Sequence, residues 1–92
     1  LDNEYTVLSN NETGYGRNDL ALNPINKRDV GYIFEFKVAG SEEELESYAE
    51  EGFEQIKEKK YDTELINRGV TEITYIGLAF YKKKLKMKYE KI

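Results

Sequence analysis

The sequence predicts a small α/β or α+β domain in which one helix lies across a β-sheet. Three stretches in the first 40 residues have the period-two alternation of strands, and an acidic stretch with helical periodicity follows them. Two more strand-like stretches complete the chain. The resulting order is βββαββ, and we expect a central mixed sheet with the helix on one face. The 92 residues are enough for a single domain with a modest core.

The first two predicted strands flank a turn. Residues 4 to 9 (EYTVLS) alternate between apolar and polar, and the Asn- and Gly-rich segment NNETGYG that follows is typical of a turn. The second strand is NDLALN at residues 18 to 23, which Pro24 ends. Turns of this length predict an antiparallel meander of three strands.

The third predicted strand covers residues 32 to 39 and has an unusual pattern. Its even positions are apolar, and we expect them to form the buried face: Tyr32, Phe34, Phe36 and Val38. The opposite face then carries Glu35 and Lys37, a carboxylate and an ammonium two residues apart in a hydrophobic strand. This pair of charges is therefore a candidate functional feature.

The helix is predicted to run from Ser41 to about Lys60. Gly40 ends the preceding strand, and Ser41 with Glu44 matches a capping box, in which the serine oxygen accepts from the third helical amide. Spacings of three and four give the helix an apolar stripe: Leu45, Tyr48, Ala49, Gly52 and Ile56. The acidic opposite face is expected to point to solvent.

The last two strands are predicted to lie at different places in the sheet. Residues 71 to 81 are apolar on both faces from Ile73 onward, which indicates a strand covered on both sides. Residues 84 to 92 alternate apolar side chains with lysines, which is typical of an edge strand protected by its charges.

Composition excludes several kinds of chemistry. The chain has no cysteine for disulfides or thiolate metal sites, and no histidine, the commonest metal ligand and the usual base of a nucleophilic triad. No apolar run approaches the about 20 residues of a membrane span, and the start lacks a signal-peptide pattern, so we expect a cytoplasmic protein. The net charge of −4 is the sum of −9 over residues 1 to 56 and +5 over residues 57 to 92. Because the second part is basic, the net charge does not exclude a nucleic-acid partner.

Two carboxylates can supply the chemistry that remains. Asp19 begins the second strand and Glu35 lies midway along the third, so hairpin pairing would bring both to one point on the sheet. Two such charges about 4 Å apart repel by about 4 kcal/mol at an effective dielectric near 20, and a cation between them removes this repulsion. Hard oxygen ligands suit Mg²⁺ or Mn²⁺. Lys37, roughly 7 Å along the strand, could orient or deprotonate a water.

At these residues the chain resembles a known family. GRND followed by EFK is similar to the signature of the PD-(D/E)XK nuclease superfamily, an acidic residue on one strand and Glu-x-Lys on the next. The run from residue 5 to about 89 resembles a bacterial and archaeal branch whose nuclease-like domain lies C-terminal to an AAA-ATPase-like module. The resemblance implies a restriction-endonuclease-like core that cleaves nucleic acid, DNA being expected, with an ATPase-like module in the parent chain.

The resemblance also implies a role for individual residues. Asp19, Glu35 and the backbone carbonyl of Phe36 would hold Mg²⁺ or Mn²⁺, and Lys37 would be the catalytic lysine. Three further residues would orient that lysine or contact nucleic acid: Arg17, Gln55 and Tyr61.

Two departures from the family pattern lead to further expectations. The superfamily core normally opens with a helix, whereas this sequence begins just before its first strand, so we expect residues 1 to 92 to be one domain from a longer protein. A sheet face without that helix would favour association with another chain, for example as a homo-oligomer. There is no G-x-x-x-x-G-K-[ST] phosphate loop in the sequence.

Each candidate residue also has a structural interpretation. Glu-x-Lys alone is common on a solvated strand face, and Asp19 alone could cap the amides of a turn. Gln55 could lie at the border of the helix, Tyr61 could pack in the core, and Arg17 could be a surface charge. The alternative function is a catalytically inactive nuclease-fold module that serves recognition or regulation beside an ATPase.

Overall fold

The fold follows the predicted order of strands and helix. The computed structural model describes residues 4 to 11 and 18 to 92. Its strands are β1 (Tyr5–Asn11), β2 (Asn18–Pro24), β3 (Gly31–Val38), β4 (Ile73–Tyr81) and β5 (Lys84–Lys91). Its helices are α1 (Leu45–Lys59), which a 3₁₀ turn at Glu42–Glu44 precedes, and the short α2 (Thr63–Asn67). The order βββαββ is thus confirmed, and α2 is an element that the sequence analysis did not predict.

The five strands form one mixed sheet in the order β1-β2-β3-β4-β5. β3 and β4 pair in parallel, whereas every other neighbouring pair is antiparallel. A parallel pair needs a crossover connection, which α1 and α2 provide here. β5 lies at one edge and all of its residues are exposed, as its lysines predicted.

The helix α1 packs on the face that β3, β4 and β5 share. Its buried residues are Leu45, Ala49, Gly52, Phe53 and Ile56. The predicted stripe is confirmed except at Tyr48, which is only half-buried, and it omitted Phe53. Gly77 of β4 is essential to this packing, because a Cβ atom there would lie 2.0 Å from the carbonyl oxygen of Ala49.

The predicted buried face of β3 is wrong. The odd positions are the ones that α1 covers: Ile33 is 0% exposed and Glu35 is 1% exposed, whereas Val38 is 81% exposed. The other even positions, Tyr32, Phe34 and Phe36, are half-buried. Both faces of this strand are rich in apolar residues. The alternating pattern therefore identified a strand correctly but did not distinguish the face that the helix covers.

The start of the helix also differs from the predicted capping box. The hydroxyl of Ser41 donates to the Glu44 carboxylate at 3.1 Å, and no side chain caps a backbone amide there. Instead, the Glu44 amide donates to the Ser41 carbonyl at 3.2 Å, which begins the 3₁₀ turn. Within residues 4 to 11 and 18 to 92, no helix is both long enough and apolar enough to cross a membrane.

Candidate active site

The two candidate carboxylates face each other across neighbouring strands. Asp19 and Glu35 are directly opposed in the antiparallel pairing of β2 with β3. Opposed residues in such a pair lie on the same face with Cβ atoms about 4.5–5.5 Å apart. Both are buried, Asp19 at 4% and Glu35 at 1% exposure. Their side chains therefore extend from adjacent strands on the same buried face of the sheet.

A third strand adds a polar neighbour to this pair. Asn10 of β1 is opposite Asp19 on its other side, and its amide nitrogen donates to the Asp19 carboxylate at 3.5 Å. The sequence analysis did not single out Asn10. It assigned Asn10 to the turn, whereas β1 continues to Asn11 and so brings Asn10 across from Asp19.

Two glycines explain how a carboxylate comes to lie beneath the helix. Glu35 pairs with Gly77 of β4, and a Cβ atom on Gly52 of α1 would lie 3.5 Å from the Cγ atom of Glu35. Because neither glycine has a side chain, the helix backbone approaches the sheet closely and covers Glu35. Along the strands, this point separates an apolar cluster that includes Ile33 from another that includes Ala39.

Lys37 is held by the helix through a chain of hydrogen bonds. Its ammonium donates to the side-chain oxygen of Gln55 at 2.5 Å, and the Gln55 amide nitrogen donates to the Tyr61 hydroxyl at 3.0 Å. Glu51 lies one turn before Gln55, and its carboxylate is 3.7 Å from the Lys37 ammonium. The structure thus brings Lys37, Gln55 and Tyr61 together, and it adds Glu51, which the sequence analysis missed.

The end of α1 fixes the position of Tyr61. The Tyr61 amide donates to the Ile56 carbonyl at 3.2 Å and the Lys60 amide donates to the Lys57 carbonyl at 3.3 Å, the two bonds of a Schellman motif. Lys60 adopts the left-handed conformation, with φ of 55°, that this motif requires and that glycine usually supplies. The Tyr61 side chain consequently turns into the core beside Ile56.

A second contact anchors the segment that follows. The Tyr75 hydroxyl donates to the carboxylate of Asp62. Burial, and then this hydrogen bond, raise the pKa of Tyr75 above its ordinary value of 10.0. The contact ties the loop between α1 and α2 to the middle of β4.

Asp19 also lines an open cleft of about 560 Å³. The cleft lies between the face of β1 and β2 on one side and the end of α1 with α2 on the other. Its polar lining includes Asn10, Asp19, Lys59, Lys60, Tyr61 and Arg68. A ligand in this cleft would therefore reach one of the two candidate carboxylates.

The donor set at this point fits a hard divalent cation. Asp19 and Glu35 offer carboxylate oxygens, which Mg²⁺ and Mn²⁺ prefer, and a backbone carbonyl, water or substrate phosphate can complete the coordination. In the part of the chain that the structure describes, there is no cluster of three or more Asp, Glu, His or Cys residues suited to a metal. The candidate metal ligands among the side chains are therefore the two carboxylates of Asp19 and Glu35. Arg17 lies outside the described residues, so its predicted role stays a prediction.

The fold and this constellation are those expected of a nuclease-type domain, with an aspartate on one strand and Glu-x-Lys on its neighbour. A family model described as PD-(D/E)XK nuclease superfamily matches residues 1–90 of the chain. The chain belongs to this superfamily, and its mixed sheet with one crossing helix is consistent with a restriction-endonuclease-like fold. Searches of curated proteins and of solved structures return no match. Membership implies a nucleic-acid substrate, and members generally use divalent metals.

Proposed function

We propose that this protein hydrolyses phosphodiester bonds in nucleic acid, with DNA as the expected substrate, at a metal-dependent site. The observation that carries the proposal is the pairing of Asp19 with Glu35 on one sheet face, with Lys37 two residues further along the same strand. The superfamily membership supports the reaction class. The arrangement combines two carboxylate ligands for a cation with the positive charge of Lys37 on the same face.

Each residue has a distinct task in this proposal. Asp19, Glu35 and the backbone carbonyl of Phe36 would hold Mg²⁺ or Mn²⁺, which supplies Lewis-acid activation of the phosphodiester. Lys37 would orient the attacking water or balance negative charge that develops on the phosphoryl oxygens. Gln55 and Tyr61 position the lysine through the hydrogen-bond chain described above.

The wider context of the domain belongs to the same proposal. The resemblance of the chain to the branch with an AAA-ATPase-like module supports a parent protein in which residues 1 to 92 are one domain beside an ATPase. Cytoplasmic location and homo-oligomerisation are proposed with it. Arg17 is proposed as a phosphate contact on the basis of the sequence motif.

Cleavage assays with matched variants test the proposal. Asp19→Asn and Lys37→Ala should each lower the Mg²⁺- or Mn²⁺-dependent cleavage of plasmid and oligonucleotide DNA about 100-fold or more, the usual effect of losing one group that stabilises a transition state. Lys83→Ala, in the exposed turn between β4 and β5, is the control and should retain full activity. Cleavage that persists in Lys37→Ala would show that the catalytic assignment is wrong.

One observation favours the inactive module as a second candidate. Glu51 lies 3.7 Å from the Lys37 ammonium and neutralises part of its charge, which suits a structural lysine as well as a catalytic one. The inactive module predicts no cleavage and no shift in melting temperature when Mg²⁺ or Mn²⁺ is added. A metal-dependent rise in melting temperature that Asp19→Asn abolishes would count against it.

A further inference from the structure

The cleft beside Asp19 carries positive charge that the proposed site does not use. Lys59, Lys60 and Arg68 line it together with Asp19. Arg68 forms an ion pair with Glu64 at 2.8 Å. Lys59 and Lys60 are exposed, and neither forms an ion pair with another residue of the described part of the chain. Two lysines with no ion-pair partner among the described residues therefore line a cleft whose wall contains a candidate metal ligand.

The backbone at Lys60 provides an independent observation. This residue occupies the left-handed position of the Schellman motif, where glycine is favoured and a side chain with a Cβ atom is disfavoured. The hydroxyl of Thr63 and the amide of Thr63 both donate to the Lys60 carbonyl, at 2.8 and 3.2 Å, and hold it in this conformation. Residues kept in such conformations concentrate at functional sites. The motif thus fixes the backbone of Lys60 at a point where this residue lines the cleft.

We propose that this cleft binds one strand of nucleic acid, with Lys59 and Lys60 holding the phosphates next to the one at Asp19. The inference rests on the proposed function, because Asp19 defines which phosphate reacts. A volume of about 560 Å³ is in the range of a small-molecule pocket and accommodates about one or two nucleotides, so it suits a single strand better than a duplex. Lysine contacts to phosphates supply affinity without reading the base sequence.

The test is a binding measurement under conditions that prevent cleavage. Fluorescein-labelled single-stranded DNA, single-stranded RNA and duplex DNA are titrated with the protein in EDTA, and anisotropy is followed at several salt concentrations. In the double variant Lys59→Ala, Lys60→Gly, we expect single-strand affinity to fall about tenfold or more at moderate salt. The slope of log affinity against log salt should decrease by about 1.4, since each phosphate contact on a single strand contributes about 0.7.

A matched control separates this effect from general loss of charge. Lys82 has the same left-handed conformation, with φ of 55°, in the turn between β4 and β5, and Lys83 is its exposed neighbour. Like the cleft variant, the double variant Lys82→Gly, Lys83→Ala removes two lysine charges and places glycine at a left-handed position, but it does so outside the cleft. Because glycine is favoured at both left-handed positions, neither double variant should lower the melting temperature.

The possible results separate this inference from the proposed function. If both double variants bind alike, or if duplex binds as tightly as single strands, the cleft proposal is overturned and the nuclease proposal is still judged by Asp19→Asn and Lys37→Ala. If the cleft variant alone loses single-strand binding, the cleft proposal is supported even when no cleavage is found. If the wild-type protein binds no nucleic acid in any form in EDTA, the cleft proposal fails, and the nuclease proposal is still judged by the metal-dependent cleavage assays.

Discussion

Glu35 is a charged residue in a place where charged residues are rarely found. It is 1% exposed, lies under α1, and has Ile33 and Lys37 as its neighbours on the same face of the strand. Burial of a carboxylate costs free energy that its interactions with neighbouring groups must offset. Under the proposed function, Glu35 and Asp19 opposite it are the acidic ligands of the metal.

Tyr75 and Asp62 form a second buried polar contact, whose contribution depends on pH. Because burial and the hydrogen bond raise the pKa of Tyr75, the folded state retains this proton at pH values where the unfolded chain has lost it. The stabilisation is therefore complete below about pH 10, the ordinary pKa of tyrosine, and is lost as the pH rises above it, by about 1.4 kcal/mol per pH unit.

Replacement of one phenol should remove this alkaline sensitivity. We expect Tyr75→Phe to lose about 1–2 kcal/mol of unfolding free energy at pH 7, because a buried hydrogen bond is removed, and to show a flatter decline between pH 10 and 11. Urea unfolding at a series of pH values measures both effects. Tyr89→Phe, on the exposed edge strand, is the control and should follow the wild-type curve. Parallel curves for Tyr75→Phe and wild type would contradict the assignment.

The contact of α1 with β4 depends on the absence of two side chains. Gly52 and Gly77 meet at the level of Glu35, so the same contact that brings the helix close to the sheet also covers the candidate ligand. The helix in turn carries Gln55, which holds Lys37. The geometry of the candidate site is therefore controlled by the depth at which one helix lies on one strand.

A methyl group at Gly77 should move that helix. In Gly77→Ala, the new Cβ atom would lie 2.0 Å from the Ala49 oxygen and 2.4 Å from the Phe53 nitrogen, and both are helix backbone atoms with little freedom to shift. We expect a loss of about 3 kcal/mol or more in unfolding free energy, measured with urea.

Gly40→Ala is the matched control for this substitution. Its new Cβ atom would meet only the flexible carboxylate end of Glu44, at 2.9 Å, so the change should stay within about 1 kcal/mol. Equal effects of the two substitutions would show that helix α1 does not lie as close to β4 as described.

The whole sheet presents two different faces. One is covered by α1 and contains the buried clusters, whereas the other carries half-buried aromatic residues, among them the stacked rings of Phe34 and Phe36 with centroids 6.0 Å apart. Exposed apolar side chains continue this second face along the strands toward the edge: Val38, Leu85, Met87 and Tyr89. No described element of the chain covers this second face.

Truncation of a side chain to alanine should lower the unfolding free energy much more on the covered face than on the uncovered face. Ile33→Ala removes a fully buried side chain beneath α1 and should lower the unfolding free energy by about 2–5 kcal/mol. Val38→Ala, on the uncovered face, should change it by no more than about 0.5 kcal/mol. Chemical denaturation of the two variants provides the comparison. A large loss in Val38→Ala would mean that another copy or segment covers this face in solution.

Local patterns in the sequence explain how much of the molecule could be predicted. Alternation identified four strands, an apolar run identified β4, and helical spacing identified α1, because these signals lie within a few consecutive residues. The orientation of β3 was missed because it depends on Gly52 and Gly77, which are distant from that strand in sequence. The five residues of α2 are too few to show a helical period. The opposition of Asp19 and Glu35 followed from hairpin pairing, whereas Gln55 was found only through the family resemblance.

The contacts of α1 show which part of the fold the candidate site depends on. The helix packs against β3, β4 and β5, while β1 and β2 join the sheet mainly through the edge of β3. Separation of this N-terminal hairpin would carry Asp19 away from Glu35 and leave the helix on its three strands. Opening of this hairpin alone would therefore take the proposed site apart while the helix and its three strands stay packed.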